Sequence, residues 1–370
     1  MKGRRAAALL VVAGWSGTVG GSACGGPPAP GGSLTVVSWG GSYERAVTEA
    51  YIRPFAEAHE VAVGIESYNG GLAQVRSQVE VGRVHWDVVD LEAFDALRGC
   101  EEGLLEPIPP DFLPPGPDGT PASEDFAEGA ISECGVGNVF YSTIYAYNDR
   151  LIQGEKPATI EDFFDLERFP GRRGMRRSPL VNLEFALMAD GVARDEVYAV
   201  LDTPEGRDRA FRKLGTIREQ VVWWEAGAQP PQMLADGEVV MSTAYNGRIF
   251  NAQALESQPF VIVWDGQLLD FGQKAIVAGT PNLENALEFV RFATSAESTA
   301  RVSGYIAYGP VRASGLPLVS THVETGVDML PHLPTAPENE RLSLRMDTAW
   351  WTDHLDEMNE RFSAWLARSP

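Results

Sequence analysis

Apolar and polar positions along the chain follow two periods. The run Leu34 to Trp39 (LTVVSW) is short, apolar and β-branched, and predicts a strand. From Ser42 to His59, the residues Tyr43, Ala46, Val47, Ala50, Tyr51 and Phe55 recur at helical spacing, with Ser42 as the candidate N-cap. VAVGIESY then predicts a second strand, LAQVRSQVEVG a helix and WDVVDLE a third strand. A βαβαβ order of this kind predicts a parallel sheet covered by helices, hence an α/β fold. Pro and Gly crowd residues 107–121, which predicts a long loop, and the apolar NVFYSTIYAYN after it predicts a buried strand. PATIEDFFDLERFPGRRGMR predicts a helix and a turn leading into a second α/β set that reaches about Leu269. LENALEFVRFATSAESTARVSGY predicts an amphipathic helix pair. One stretch is awkward. VVMSTAYNGRIF, Val239 to Phe250, reads as a strand, an Asn-Gly turn and a helix start carrying Arg248. A helix N-terminus already bears partial positive charge, so a cation there calls for an anionic partner.

The first residues bear on compartment. Lys2, Arg4 and Arg5 precede the apolar run 6–13 and then small residues, the pattern of a signal peptide over residues 1–23. Ser22-Ala23-Cys24 resembles a bacterial lipobox, although Gly21 stands where Leu or Val is usual, so Cys24 is the candidate lipidation site and membrane anchor. Residues 24–33 are Gly- and Pro-rich and predict a flexible tether; a plainly secreted protein is the other reading. Removing the signal's three cations would take the net charge from −21 to −24. A chain so acidic does not bind nucleic acid through phosphates. Cys100 and Cys134 remain, and in an exported protein they are read as a disulfide closing a loop of about 35 residues, with a free reactive thiol as the alternative. Neither CxxC nor HExxH occurs, so no metal or cofactor is expected.

Several segments, in order, resemble the substrate-binding proteins of bacterial ABC importers, in the branch that takes polyamines and related solutes. They are LTVVSWGGSYERAVTEAYIRPFAEAH, WDVV, PATIEDFFDLERFPGRRG, QMLADGEVVMSTAYNG, LENALEFVRFAT and GYIAYGPVR. The resemblance implies a two-lobed type II periplasmic-binding-protein fold with the ligand clamped between lobes. It places lobe 1 at residues 34–143 plus 271–313 and lobe 2 at 144–270 plus 314–370. It also implies a monomer in the periplasm or at the cell surface, delivering a small solute to the transmembrane subunits of an ABC permease.

Ligand sites of such sheets lie beyond the carboxyl ends of strands. Trp39, followed by Gly40-Gly41, matches an aromatic position of the family, with packing in the lobe core as its other role. Tyr43 stands on the next helix. Glu92, or its neighbour Asp90, is expected to receive an ammonium, with a solvated loop acid as the other reading. Tyr245 carries over as a stacking residue, and Tyr305, in GYIAYGPVR, joins the set. Trp224 and Trp351 each belong to an adjacent pair, of which at most one member can face the ligand. The two acids with which polyamine binders grip amines fall here near Pro179 and Asn182, so they are missing. Arg248, which polyamine binders lack, suits a carboxylate through its planar fork. With Asp270 at the end of LLDFG as a partner for an ammonium, the pair asks for a zwitterion: an amino acid or an ω-amino acid such as 4-aminobutyrate. Arg248 and Asp270 could instead neutralise each other. A polyamine receptor is the alternative reading.

An enzyme is the rival class. No GxSxG elbow or P-loop occurs, and the five histidines are scattered. A related thiamine-degrading fold uses a cysteine nucleophile, which a disulfide here would disarm. A ferric-ion receptor would need clustered tyrosines, whereas Tyr305 and Tyr308 are separated.

Overall fold

The computed structural model describes residues 31–367. The signal segment, Cys24 and most of the tether lie outside the described residues. The tether's last residues do not dangle: Gly31 N donates to the Glu60 carbonyl at 3.1 Å, and Ser33 already pairs with Ala62.

The first half follows the hydrophobic pattern. Strand β1 (Ser33–Ser38) leads into helix α1 (Gly41–Val47), continued by a π-helical turn over Thr48–Ile52 and a further helical segment, Arg53–His59. Strand β2 (Ala62–Ser67), helix α2 (Ala73–Glu80), strand β3 (Val88–Glu92) and helix α3 (Ala93–Glu101) complete it. β1 pairs in parallel with both β2 and β3. β3 is buried along its whole length, so the polar positions of VVDLE, Asp90 and Glu92, lie inside the protein although the sequence alternates as a half-exposed strand would. Ser42 is not the N-cap. Helix α1 begins one residue earlier, because Gly40 and Gly41 both take positive φ, +63° and +62°, and turn the chain before the hydroxyl could cap it.

Two long strands dominate the centre, β4 (Gly135–Asn148) and β8 (Phe260–Ile276). They run antiparallel to each other, with register shifts between Gly137 and Phe140 and between Thr143 and Tyr145. Beyond β4 come β5 (Arg173–Arg176), β6 (Val221–Trp224) and β7 (Met241–Tyr245), with β5 parallel to both β6 and β7. The sheet therefore reads β2-β1-β3-β8-β4-β7-β5-β6, a parallel unit at each end joined by antiparallel strands. Helix α4 (Asn182–Ala189) follows β5, and helix α5 (Asn246–Glu256) follows β7. The expected helix pair is α6 (Leu283–Ala293) and α7 (Ala296–Ser303), and the chain closes on α8 (Thr348–Ala367).

Asn246-Gly247 is not a turn but the first turn of α5. Asn246 is fully buried: its Oδ1 accepts from Ser142 N at 3.0 Å, and its Nδ2 donates to the Ala307 carbonyl at 2.6 Å. Gly247 is dictated by packing, since a Cβ there would stand 2.6 Å from both Ile306 Cγ1 and Tyr308 Cε1.

Buried side chains gather on both sides of the central strands. Tyr51, Phe55 and Phe289 anchor the cluster beside β1, whereas Phe163, Phe185, Trp351 and Met358 anchor the one beside β5. The Cys100–Cys134 disulfide forms, with 5.6 Å between Cα atoms, tying the end of α3 to the start of β4. Among the described residues no helix is long and apolar enough to cross a membrane, and no group of His, Cys, Asp and Glu could hold a metal ion.

Candidate ligand site

The two parallel units point the carboxyl ends of their strands at each other, and the main cavity lies between them. Trp39 follows β1, Tyr68 and Asn69 follow β2, and Glu92 ends β3. From the other side, Arg176 ends β5, Glu225 and Gly227 follow β6, and Tyr245 ends β7 with Arg248 in the helix beyond. Tyr141 on β4 and Gly272 on β8 form the floor. The space open to the centres of water molecules is ≈ 50 Å³. At about 10–15 Å³ per water centre this admits roughly four waters, the scale of a small solute.

Aromatic rings make most of the wall. Trp39 stacks on Tyr68 at 5.1 Å between centroids, and Tyr141 meets Tyr245 edge-on at 5.6 Å. Tyr43 and Tyr308 stand 5.9 Å apart behind them, both buried and both facing the cavity. The Tyr43 hydroxyl accepts from Asn138 Nδ2 at 3.1 Å, which fixes the ring. Rings with negative faces around a small space favour a cation or its aliphatic stem.

The polar groups fall into two sets. Tyr141 donates its hydroxyl to Glu92, and the same hydroxyl lies 3.2 Å from Asp270 Oδ2. Arg176 Nη1 stands 4.0 Å from Glu92 Oε1. Burial raises the pKa of Glu92, opposed by the Arg176 charge and the Tyr141 hydrogen bond. Burial, reinforced by the neighbouring Glu92 charge, holds Asp270 well above the usual carboxylate range, so Asp270 favours its neutral form. Asp270 borders a smaller adjoining compartment with Arg176, Leu180 and Val181 rather than the main cavity. Val181 there has φ +69°, an uncommon strain for a β-branched residue.

Arg248 does not pair with Asp270. Its Nη1 donates to the Gly40 carbonyl and its Nη2 to the Trp39 carbonyl, each at 3.1 Å, while its buried Nε has no hydrogen-bond partner among the described residues. A cation at the start of a helix is thus satisfied by backbone carbonyls from the other end of the sheet.

Of the residues singled out in the sequence, Trp39, Tyr43, Glu92, Tyr245 and Arg248 meet at the main cavity, with Asp270 just behind. Three do not. Trp224 is 1% exposed and packs inward among Ile144, Leu234 and Ile249, backing Tyr245 from 5.9 Å without reaching the cavity. Trp351 is fully buried on α8, its Nε1 donating to Glu184 Oε1 at 2.7 Å, because that helix covers the outer core instead of returning to the cleft. Tyr305 packs on the core beside β1, and Tyr308 takes its place in the wall. Asp90 is consumed by the buried ammonium of Lys274. Sequence reasoning missed Arg176, Tyr141, Tyr68 and Tyr308. Arg176 carried a readable signal, as the last residue of a strand entering a loop.

A family profile described as "Bacterial extracellular solute-binding protein" matches residues 50–334. The chain belongs to that family. Its solute-binding relatives include the gamma-aminobutyric acid-binding protein of Pseudomonas aeruginosa PAO1, 44% identical over 336 residues that cover 91% of each chain. The periplasmic binding protein MotA from A. tumefaciens B6, solved in complex with glucopine, superposes with a TM-score of 0.82 at 29% identity, covering 90% of this chain and 99% of that one. The structure of the Atu4243 GABA receptor gives a TM-score of 0.77 at 28% identity, covering 91% and 98%. The fold is the two-lobed type II periplasmic-binding-protein architecture, and the protein is an extracytoplasmic solute binder whose relatives are binding proteins rather than enzymes.

Proposed function

We propose that the protein captures a small zwitterionic amine, 4-aminobutyrate or a similar ω-amino acid, by closing its two lobes on it. The observation that carries this reading is the charge balance of the cavity. Two guanidiniums, Arg176 and Arg248, face one buried carboxylate, Glu92, while the other lining acid, Glu225, is exposed and pairs with Arg177 at 3.1 Å, and burial holds the adjoining Asp270 well above the usual carboxylate range. A polyamine would bring two or more positive charges against those arginines, which is unfavourable in a poorly solvated site. A carboxylate balances them, and Arg176 and the free Nε of Arg248 are its receptors. The ammonium at the other end meets Glu92 and Tyr141, and the aliphatic middle lies along Trp39 and Tyr245. The size of the cavity suits such a molecule, and two relatives are named for the same ligand.

Lobe 1 comprises residues 34–143 plus 271–313 and lobe 2 residues 144–270 plus 314–370 in this reading, hinged on the central strands. The mature protein is a monomer held to a membrane through acylated Cys24, in the periplasm or at the cell surface, and it delivers its ligand to an ABC permease.

The test is a calorimetric and thermal-shift screen of 4-aminobutyrate, other amino acids, putrescine and spermidine. A ligand at 100 times its Kd stabilises by about 2.7 kcal/mol. Tight binding of putrescine with failure of every carboxylated amine defeats the reading. Arg248→Ala is expected to abolish binding of carboxylated amines while leaving the protein folded.

A further inference from the structure

The guanidinium of Arg248 is flanked by two glycines, one from each lobe. A Cβ on Gly41 would stand 2.6 Å from Nη1, and a Cβ on Gly227 would stand 3.0 Å from Nε and 2.9 Å from the Tyr245 ring. Real Cβ atoms do not approach so closely, so the seated guanidinium excludes a side chain at 41, and the guanidinium together with the Tyr245 ring excludes one at 227. Gly41 opens α1 in lobe 1, immediately after the two carbonyls, of Trp39 and Gly40, that accept from Arg248 in lobe 2. The side chain is 5% exposed and separates the ligand cavity from an outer groove that runs along Ser42, Gln232 and Glu256.

Division of labour within one side chain follows from this. Both Nη atoms are committed to backbone of the opposite lobe and can engage it only when the lobes are shut. Nε is buried and has no hydrogen-bond partner among the described residues, on a side chain that lines the cavity beside Tyr308. A buried donor left unpaired is costly, and one belonging to a cation more so. We propose that Arg248 is an interlobe latch, seated through the absence of a side chain at residue 41, and that a ligand anion at its Nε completes the latch. Closure and capture are then one event. The proposal rests on the reading of the cavity as an anion-accepting site, but the latch is tested at a residue outside the cavity lining.

The protein used is the full mature chain. Gly41→Ala should leave the fold intact by circular dichroism, raise the dissociation rate of 4-aminobutyrate at least tenfold in stopped-flow displacement, and shift small-angle scattering towards the open form. Alanine at a positive φ also strains the backbone, and that strain is independent of Arg248, whereas the clash is not. The loss of urea stability caused by Gly41→Ala should therefore shrink when measured in the Arg248→Ala background; an unchanged loss overturns the latch. Arg248→Lys keeps the charge but cannot span two carbonyls, and it should open the protein as Gly41→Ala does. Wild-type dissociation kinetics and scattering in both variants overturn the proposal while leaving the ligand reading intact. Should wild-type protein bind no carboxylated amine, the ligand reading fails. The latch then stands or falls on whether Gly41→Ala lowers the closed fraction of ligand-free protein.

Discussion

Arg176 and Glu92 come from strand ends in the two opposite parallel units of the sheet and stand 4.0 Å apart at the main cavity. Neither charge is exposed enough for water to solvate it fully, and at this distance the two attract each other directly. Arg176→Ala should weaken binding of a carboxylated amine by about 2–5 kcal/mol, the range for losing one partner of a buried charged contact. Arg176→Lys should recover part of it, because the ammonium keeps the charge without the fork. Isothermal titration of the two variants beside wild type measures both.

Beneath the cavity, Lys274 donates to Asp90 with both side chains buried. Burial lowers the pKa of the lysine and raises that of the aspartate, opposing the mutual attraction in each case. Lys274→Met strands the carboxylate and should cost about 3–5 kcal/mol in urea unfolding. Replacing both with apolar residues of similar volume should cost much less, which identifies the penalty as desolvation of a lone charge.

Glu184 gives the stability a pH signature. Its carboxyl is fully buried, accepts from Trp351 and Tyr198, and is raised by burial from the ordinary 4.5 to about 7. The folded protein thus holds this proton more tightly than the unfolded chain does. The contribution is fully present below pH 4.5, declines as pH rises through about 7 and is lost above it, amounting to about 3 kcal/mol. Glu184→Gln should flatten that part of the curve of stability against pH, read by urea titrations from pH 4 to 8.

Removing the Cys100–Cys134 bridge opens a covalent link across a sequence separation of 34. The doubly serine-substituted protein should lose about 2–4 kcal/mol of stability. A lowered urea midpoint checks this. The bridge holds α3, directly after Glu92, so 4-aminobutyrate affinity in that variant reports whether the link also positions the site.

Much of the sheet was legible in the sequence because its inner strands are rich in β-branched and aromatic residues, as VVDLE and NVFYSTIYAYN show despite the polar residues they bury. Strand ends then located Trp39, Glu92 and Tyr245. The failures share a cause: contacts between residues far apart in sequence. Gly247 marked a turn until its fit against Ile306 and Tyr308, some sixty residues on, was seen to require it. Trp223 and Trp224 split between two cores while Trp350 and Trp351 share one, and period alone does not say which face meets the cavity and which meets core. Arg176 went unremarked because the stretch after it was searched for acids. Arg248 raised the right question, and its partners were two backbone carbonyls that no side-chain pattern could announce.

The register of β4 breaks on both sides of Tyr141, between Gly137 and Phe140 and again between Thr143 and Tyr145. A ladder interrupted twice bends and twists more readily than an even one. Phe140–Thr143 is consequently a short flexure set into the longest pairing of the molecule, and Tyr141, whose hydroxyl reaches Glu92 and Asp270, rides on it. A cavity-lining side chain and a bend in the central pairing therefore occupy the same few ångströms of chain, so any change in the bend moves Tyr141 directly, without a relay.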